Sequence, residues 1–530
     1  MKISFYRFMH LIFLLGILGC ANGNHAEVLP GSRPNILFAI ADDASFPHMG
    51  AYGTDWVITP AFDRVAAEGI LFDKCYTPNA KCAPSRAVVL TGRYSWQLEE
   101  AANHIGFWPE NKYPTFCEIL EEIGYTVGFT GKGWAPGDPG KKEGKRRMLT
   151  GKPYQKHKLV PPTNKISNND YAANFEEFLQ DAPKGKPWMF WYGGQEPHRA
   201  YEYGTGISKG NAKLSDIDNV PPFWPDTDTV RNDMLDYAYE INHFDSHLMQ
   251  MIKKLEETGQ LENTIIIVTA DNGMPFPRAK GLQYDYSNHL PMAIMWKKGI
   301  KSPGRNEKSL ISFVDVAPTL MALAGASKEH LQQMSMSGKD MLDLFAQRQE
   351  QDRSYILLGQ ERHDYGRPQN QGYPIRSIIE DDYLYMYNFK PELWPVGDPE
   401  TGYLNTDGSP TKTQILHMRR RGEHTQFWDM NFGKHSQEEL YDLSKDRECL
   451  NNLAQDKAYR DRKEKMKEKM FTELKQQQDP RVLGKGDVFD QYPFFQQSSF
   501  FFYERYKNGE IKEYQTDWVT PSDYEKNPID

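Results

Sequence analysis

Apolar and polar positions fall in blocks along this chain rather than in one uniform alternation. Asn35–Ala41 reads NILFAIA, a continuous apolar run that fits a strand buried on both faces. Residues 188–192 (WMFWY) and 263–269 (NTIIIVT) have the same character, and residues 125–130 (YTVGFT) form a shorter strand. Helical patterns lie between them. Residues 59–68 offer Thr59 as N-cap and Pro60 at the first helical position. Residues 233–257 carry apolar positions at helical spacing and stop before Gly259. Strands alternating with helices predict an α/β domain whose sheet is largely parallel.

Polar residues follow four of these strands at once: Asp42 and Asp43, Lys132, His198, and Asp271 with Asn272. In an open α/β sheet, ligands bind beyond the carboxyl ends of the strands, so the four groups are expected at one place.

Past residue 366 the character changes to shorter strand-like segments (375–379, 383–387, 439–443) and a polar loop over 395–413. A charged helix over 456–478 and an aromatic-rich stretch over 494–506 follow. The expected division is a signal segment (1–19), a linker (20–32), a catalytic domain (33–366) and a smaller α+β domain (367–530) with an antiparallel sheet.

The segment MKISFYRFMHLIFLLGILG has a positive start and an apolar run too short to span a bilayer. It ends in Leu18-Gly19-Cys20, which resembles a bacterial lipoprotein cleavage site. That implies lipidation of Cys20, export, and a protein of the periplasm or cell surface that is lipid-anchored on the outer membrane; simple secretion is the alternative.

Composition narrows the classes. The chain has 530 residues with 13% aromatics, enough for a large core. A net charge of −9 gives no global electrostatic reason to hold nucleic acid. Five cysteines cannot staple a chain this long, so a cysteine inside a motif reads as chemistry.

That motif is Cys82-Ala-Pro-Ser-Arg86 followed by Leu90-Thr-Gly-Arg93. A helix-like run over 85–90 puts Cys82 near a helix N-terminus, where free N–H groups and the dipole favour an anion, with Arg86 one turn on. The motif resembles the signature of the formylglycine-dependent sulfatases at every fixed position. The segment DNGMPFPRAK over 271–280 resembles most the branch that holds heparan N-sulfatase (sulfamidase) and bacterial polysaccharide sulfatases.

The resemblance implies an alkaline phosphatase-like α/β fold, a large mixed but mostly parallel sheet between helices. It implies that a maturation enzyme oxidises Cys82 to formylglycine (3-oxoalanine). It also implies one divalent cation, Ca²⁺ or else Mg²⁺, on Asp42, Asp43, Asp271, Asn272 and the modified Cys82. Oxygen donors without His suit such hard cations. Lys132 and Lys280 match the sulfate-contacting lysines and His198 the histidine on the leaving-group side. In the implied reaction one hydroxyl of the formylglycine hydrate attacks sulfur and the other later expels sulfate, with Arg86, Lys132 and Lys280 stabilising charge.

Trp134 stands where the family's Gly-Lys-x-His motif has His, and is expected as an aromatic wall against the sugar. Glu361, His363 and Arg376 are the other candidates for a sugar subsite. The implied substrate is a sulfated polysaccharide or glycosaminoglycan fragment, as O-sulfate ester or N-sulfamidate. The rival readings are a phosphatase or phosphodiesterase of the alkaline phosphatase superfamily, which would use Ser or Thr and two metals, and an inactive glycan-binding lipoprotein.

Overall fold

The computed structural model describes residues 30–348, 351–512, 516 and 518–529. The signal segment and Cys20 lie outside the described residues. Among those described, no helix is long and apolar enough to cross a membrane.

Nine strands build the main sheet: β1 Asn35–Ala41, β2 Ile70–Tyr76, β3 Thr126–Gly131, β4 Lys152–Pro153, β5 Trp188–Gly193, β6 Thr264–Ala270, β7 His289–Met295, β8 Arg305–Glu307 and β9 Ile311–Ser312. Their order is β8-β2-β7-β6-β1-β5-β3-β4, with β9 also on β2. The centre, β6-β1-β5-β3, is parallel. β7 runs antiparallel to both β6 and β2, which makes the sheet mixed.

The apolar runs are explained by burial on both faces. Leu37, Ala39, Phe190, Tyr192, Ile266 and Val268 point into one core layer. Ile36, Phe38, Ile40, Met189, Trp191 and Ile267 point into the other. The first layer is covered by α1 Pro60–Ala67, α2 Tyr171–Asp181 and α3 Asp228–Glu257. Helix α3 starts five residues before the expected 233, because the Thr227 hydroxyl caps it by accepting the Val230 N–H at 3.4 Å.

A four-stranded antiparallel sheet follows: β10 Tyr355–Gln360, β11 Ile375–Glu380, β12 Tyr383–Asn388 and β13 Glu438–Asp442. β10 lies before residue 366, so this sheet begins inside the stretch assigned to the catalytic domain. It joins the second unit because its six residues pair along the whole of β11. The charged helix runs over Arg460–Gln476 and turns Met466, Met470 and Leu474 inward.

Register places the strand ends level with one another. Ala41 pairs with Ala270, Ile40 with Gly193, and Gly131 with Gly193. A methyl group at Gly193 would lie 1.8 Å from the Lys132 carbonyl oxygen, and one at Gly131 would lie 1.9 Å from the Gly193 oxygen. Only glycine permits this approach, which delivers Lys132 to the end of β1. Gly193→Ala is therefore expected to cost about 3 kcal/mol through backbone displacement. Denaturant unfolding checks this; an unchanged midpoint would contradict it.

Candidate active site

Cys82 is the first residue of a buried helix, Cys82–Thr91, whose N-cap Lys81 is extended and gives no side-chain cap. The helix is longer at both ends than the run over 85–90 suggests. Ser85 anchors its first turn, donating to the Asp271 carbonyl and pairing with Thr77 Oγ1 at 2.7 Å. The helix N-terminus, with its positive dipole end, thus faces the ends of β1 and β6.

Asp42 and Asp43 follow β1 directly. Asp43 adopts φ +75°, a left-handed conformation that costs energy for a non-glycine residue and turns its carboxylate inward. Its N–H donates to Asp271 Oδ1 at 3.0 Å. Asp42, Asp43, Asp271 and the Cys82 thiol each place a ligand atom within 4.8 Å of the others. Asn272 donates from Nδ2 to Asp43 Oδ1 at 2.7 Å, whereas its buried Oδ1 has no partner among the described residues.

Three cations interleave with these carboxylates. Arg86 is fully buried; its Nε donates to Asp271 Oδ2 at 2.7 Å and its Nη1 to the Lys132 carbonyl at 2.8 Å. Lys132 Nζ sits 2.8 and 2.7 Å from the two Asp42 oxygens. Lys280 Nζ donates to Asp43 Oδ2 at 2.7 Å and to Asp407 Oδ2 at 2.9 Å.

Burial pushes the Asp271 carboxyl up to about 7, with Asp42 and Asp43 adding to the rise and Arg86 opposing it. Burial pushes Asp42 up as well, but Lys132 and Arg86 outweigh it and hold that carboxyl well below its usual range. Burial raises the Cys82 thiol well above its usual value despite Lys132 and Lys280, so the unmodified thiol stays protonated and a poor nucleophile. The crowded set of Asp42, Asp43 and Asp271 with the orphaned Asn272 oxygen makes a chemically fitting seat for one hard divalent cation, and the His198 ring lies within reach of the same carboxylates.

His198 is part-exposed. Its Nδ1 faces the Arg199 carbonyl at 2.6 Å and so carries the proton, leaving Nε2 3.8 Å from Asp43 Oδ2. Cys82, Lys132, His198 and Lys280 line a cavity of about 260 Å³. All five expected catalytic residues and the expected metal ligands therefore meet at one place.

The sugar-subsite candidates do not. Trp134 is buried beside the Cys82 helix, where its Nε1 donates to the Ala83 carbonyl at 2.9 Å and its ring meets Trp108 edge-on. It supports the helix rather than walling the cavity. Glu361 and Arg376 belong to a buried ion network: Arg376 Nη2 donates to Glu361 at 2.7 Å, its Nε to Asp479 at 2.7 Å, and Arg481 Nη2 reaches Glu361 at 2.6 Å. His363 is fully buried between Asn79 Oδ1 at 2.8 Å and the Gly281 carbonyl at 3.2 Å. Each was expected at the surface of a subsite, but each has its polar atoms satisfied within the protein.

Residues not anticipated complete the cavity: Lys81, His104, Asp364 and Asp407. Asp407 sits in the polar loop read from the sequence, without a motif to mark it. Asp364 is one position from His363, and alternation of facing decides which of them reaches the cavity.

The model of the family described as Sulfatase matches residues 34–326. The chain is 27% identical over 510 residues to an ulvan-active sulfatase of Formosa agariphila, covering 86% of this chain and 76% of that protein. It is 24% identical over 504 residues to the N-sulphoglucosamine sulphohydrolase of Homo sapiens, covering 87% of this chain and 94% of that protein. A protein solved in complex with its substrate D-glucosamine-2-N,6-O-disulfate superposes with a TM-score of 0.60 at 18% identity, over 84% of this chain and 98% of that chain. This last likeness is one of fold, and it agrees with the alkaline phosphatase-like architecture.

Arg376→Leu leaves Glu361 and Asp479 without their shared cation, so a stability loss of about 3–5 kcal/mol is expected. KM for a sulfated sugar should be unchanged per folded molecule. A raised KM with intact stability would return Arg376 to the sugar subsite.

Proposed function

Because the chain belongs to the sulfatase family and is a sulfuric ester hydrolase, we propose that it removes sulfate from sulfated saccharides in the cavity above Cys82. The observation that carries this reading is the meeting of Cys82, at a helix N-terminus, with buried Asp42, Asp43, Asp271 and Asn272 and with Arg86, Lys132 and Lys280.

Asp42, Asp43, Asp271 and Asn272, with the modified side chain at 82, would hold one divalent cation, Ca²⁺ in first place. When present, the cation polarises sulfate, and formylglycine, made from Cys82 by a maturation enzyme, supplies the attacking hydroxyl. Raising the Cys82 thiol by burial supports the need for that conversion.

The chain's own residues do the rest. Lys132 and Lys280 hold the sulfuryl oxygens and stabilise the charge that grows on them. Arg86 opposes the burial-driven rise of Asp271 and aligns its carboxylate through the 2.7 Å contact. His198 presents Nε2 to the cavity, placed to carry a proton to the leaving oxygen or nitrogen. Its Nδ1 contact with the Arg199 carbonyl fixes the ring for that task.

The relatives act, by their names, on ulvan and on N-sulphoglucosamine. The substrate class proposed for this chain is accordingly a sulfated polysaccharide or glycosaminoglycan fragment, as O-sulfate or N-sulfate. Export and lipidation at Cys20 are part of the same proposal; Cys20→Ala should release the protein from membranes into the soluble fraction.

The test is free sulfate release by matured protein from N-sulfoglucosamine, glucosamine 6-sulfate and ulvan oligosaccharides. Peptide mass first establishes the aldehyde at position 82. Cys82→Ala and Cys82→Ser should release none, and Lys132→Ala should lower kcat about 10²–10³-fold. Normal turnover by Cys82→Ala, or phosphate-ester cleavage without maturation, would contradict the reading; the second outcome would favour the phosphatase alternative.

A further inference from the structure

The cavity also holds a hydrogen-bonded His104–Asp364–Lys81 cluster that the sulfate chemistry does not use. His104 is 7% exposed and lines the cavity. Its Nδ1 lies 2.8 Å from Asp364 Oδ1, and the other oxygen of Asp364 pairs with Lys81 Nζ at 2.7 Å. Asp364 is fixed in turn, its N–H donating to Asn405 Oδ1 at 3.3 Å. The His104 N–H donates to the Arg362 carbonyl at 3.1 Å, so the ring is held at backbone and side chain.

The tautomer follows from these contacts. A carboxylate beside Nδ1 requires the proton there, which leaves a lone pair on Nε2. Nε2 is buried and has no partner among the described residues. Burial lowers the ring to about 4 in spite of the opposing Asp364, so the ring is neutral at pH 7 and Nε2 accepts but does not donate. A buried acceptor without a donor is costly, and the residue that carries this one lines the ligand cavity. The same lining includes apolar Ile105, Pro136 and Trp518, suited to the face of a sugar ring.

We propose that His104 is a specificity-determining residue whose Nε2 accepts a hydrogen bond from a ring hydroxyl of the saccharide beside the scissile sulfate. Asp364 is its positioning residue, and Lys81 keeps Asp364 ionised. The inference rests on the saccharide reading of this cavity. A neutral acceptor at this position rewards a substrate that carries a donor next to its sulfate and penalises one that lacks it, because Nε2 would then stay unpaired. The cations of the anion site are all donors and cannot make this distinction.

Two isosteric changes separate recognition from scaffolding. His104→Gln keeps an acceptor near the Nε2 position and gives up the contact with Asp364. His104→Asn keeps a donor toward Asp364 and removes the Nε2 acceptor. Both are made in Cys82→Ser protein, so that binding is read without turnover. The probes are N-sulfoglucosamine, glucosamine 6-sulfate and a sulfated ulvan disaccharide, with inorganic sulfate as a probe of the anion site alone.

His104→Asn should weaken the best-bound saccharide about 10–100-fold while sulfate affinity stays the same, and His104→Gln should stay within about 5-fold of the parent. The reverse ranking would assign His104 a scaffolding role and overturn the proposal. Equal losses in both variants, no loss in either, or no binding of any saccharide by the parent would overturn it as well. Absence of sulfate binding alone would instead sink the anion-site reading, since the saccharide ranking is scored separately. Should His104→Asn fail to fold by thermal melting, the parent is compared on glucosamine 6-sulfate and its fully O-methylated analogue. Equal affinity for the two would overturn the proposal.

Discussion

Asp42, Asp43, Asp271 and Asp407 are interleaved with Arg86, Lys132 and Lys280 by direct ion pairs at the ends of β1 and β6. Buried charge is tolerated only where it is paired and hydrogen-bonded, so the residual negative charge dominates the site. The rise of Asp271 to about 7 is its local expression. With all four carboxylates ionised these seven groups carry one net negative charge; a divalent cation would turn that into one net positive charge and give a sulfate group a reason to enter. Asn272 Oδ1, which has no partner among the described residues, adds a neutral oxygen at the same point.

The fold answers that constraint by bringing separate strand ends to one level. β1, β5, β3 and β6 run parallel, and their registers pair residue 41 with 270, 40 with 193 and 131 with 193. The glycines at 131 and 193 let two backbones approach closely enough for Lys132 to reach Asp42. The Cys82 helix enters from the other side of the sheet, pinned by Ser85 and Arg86 to Asp271. The second unit is part of the site rather than an appendage, because the polar loop over 395–413 supplies Asp407 to Lys280 and the connection between β10 and β11 supplies Asp364 to Lys81.

The parts of this arrangement with strong local signals were legible from residues alone. Doubly buried strands declare themselves as apolar runs, and the polar residues beyond their ends mark where a ligand binds. The long motif from Cys82 to Arg93 carried the chemistry, and the resemblance built on it assigned the metal set. Strands β2 and β7 lacked such a signal: Asp73 and Lys74 interrupt the former, and His289 and Pro291 the latter.

Facing was the harder problem. Glu361, His363 and Arg376 are polar residues near the site in sequence, but the core satisfies them, whereas their neighbour Asp364 reaches the cavity. Trp134 filled a family position without inheriting its role. His104 and Asp407 become visible only when distant loops close over the Cys82 helix, since nothing in the flanking residues marks either one.

The proposed chemistry depends on Asp42, Asp43, Asp271 and Asn272 holding one divalent cation. Metal content per chain, read by elemental mass spectrometry after equilibration with Ca²⁺ and removal of free ion, tests it most directly. One ion per chain is expected in the parent protein and none in Asp43→Ala. No bound ion in the parent protein, or two ions per chain, would contradict it.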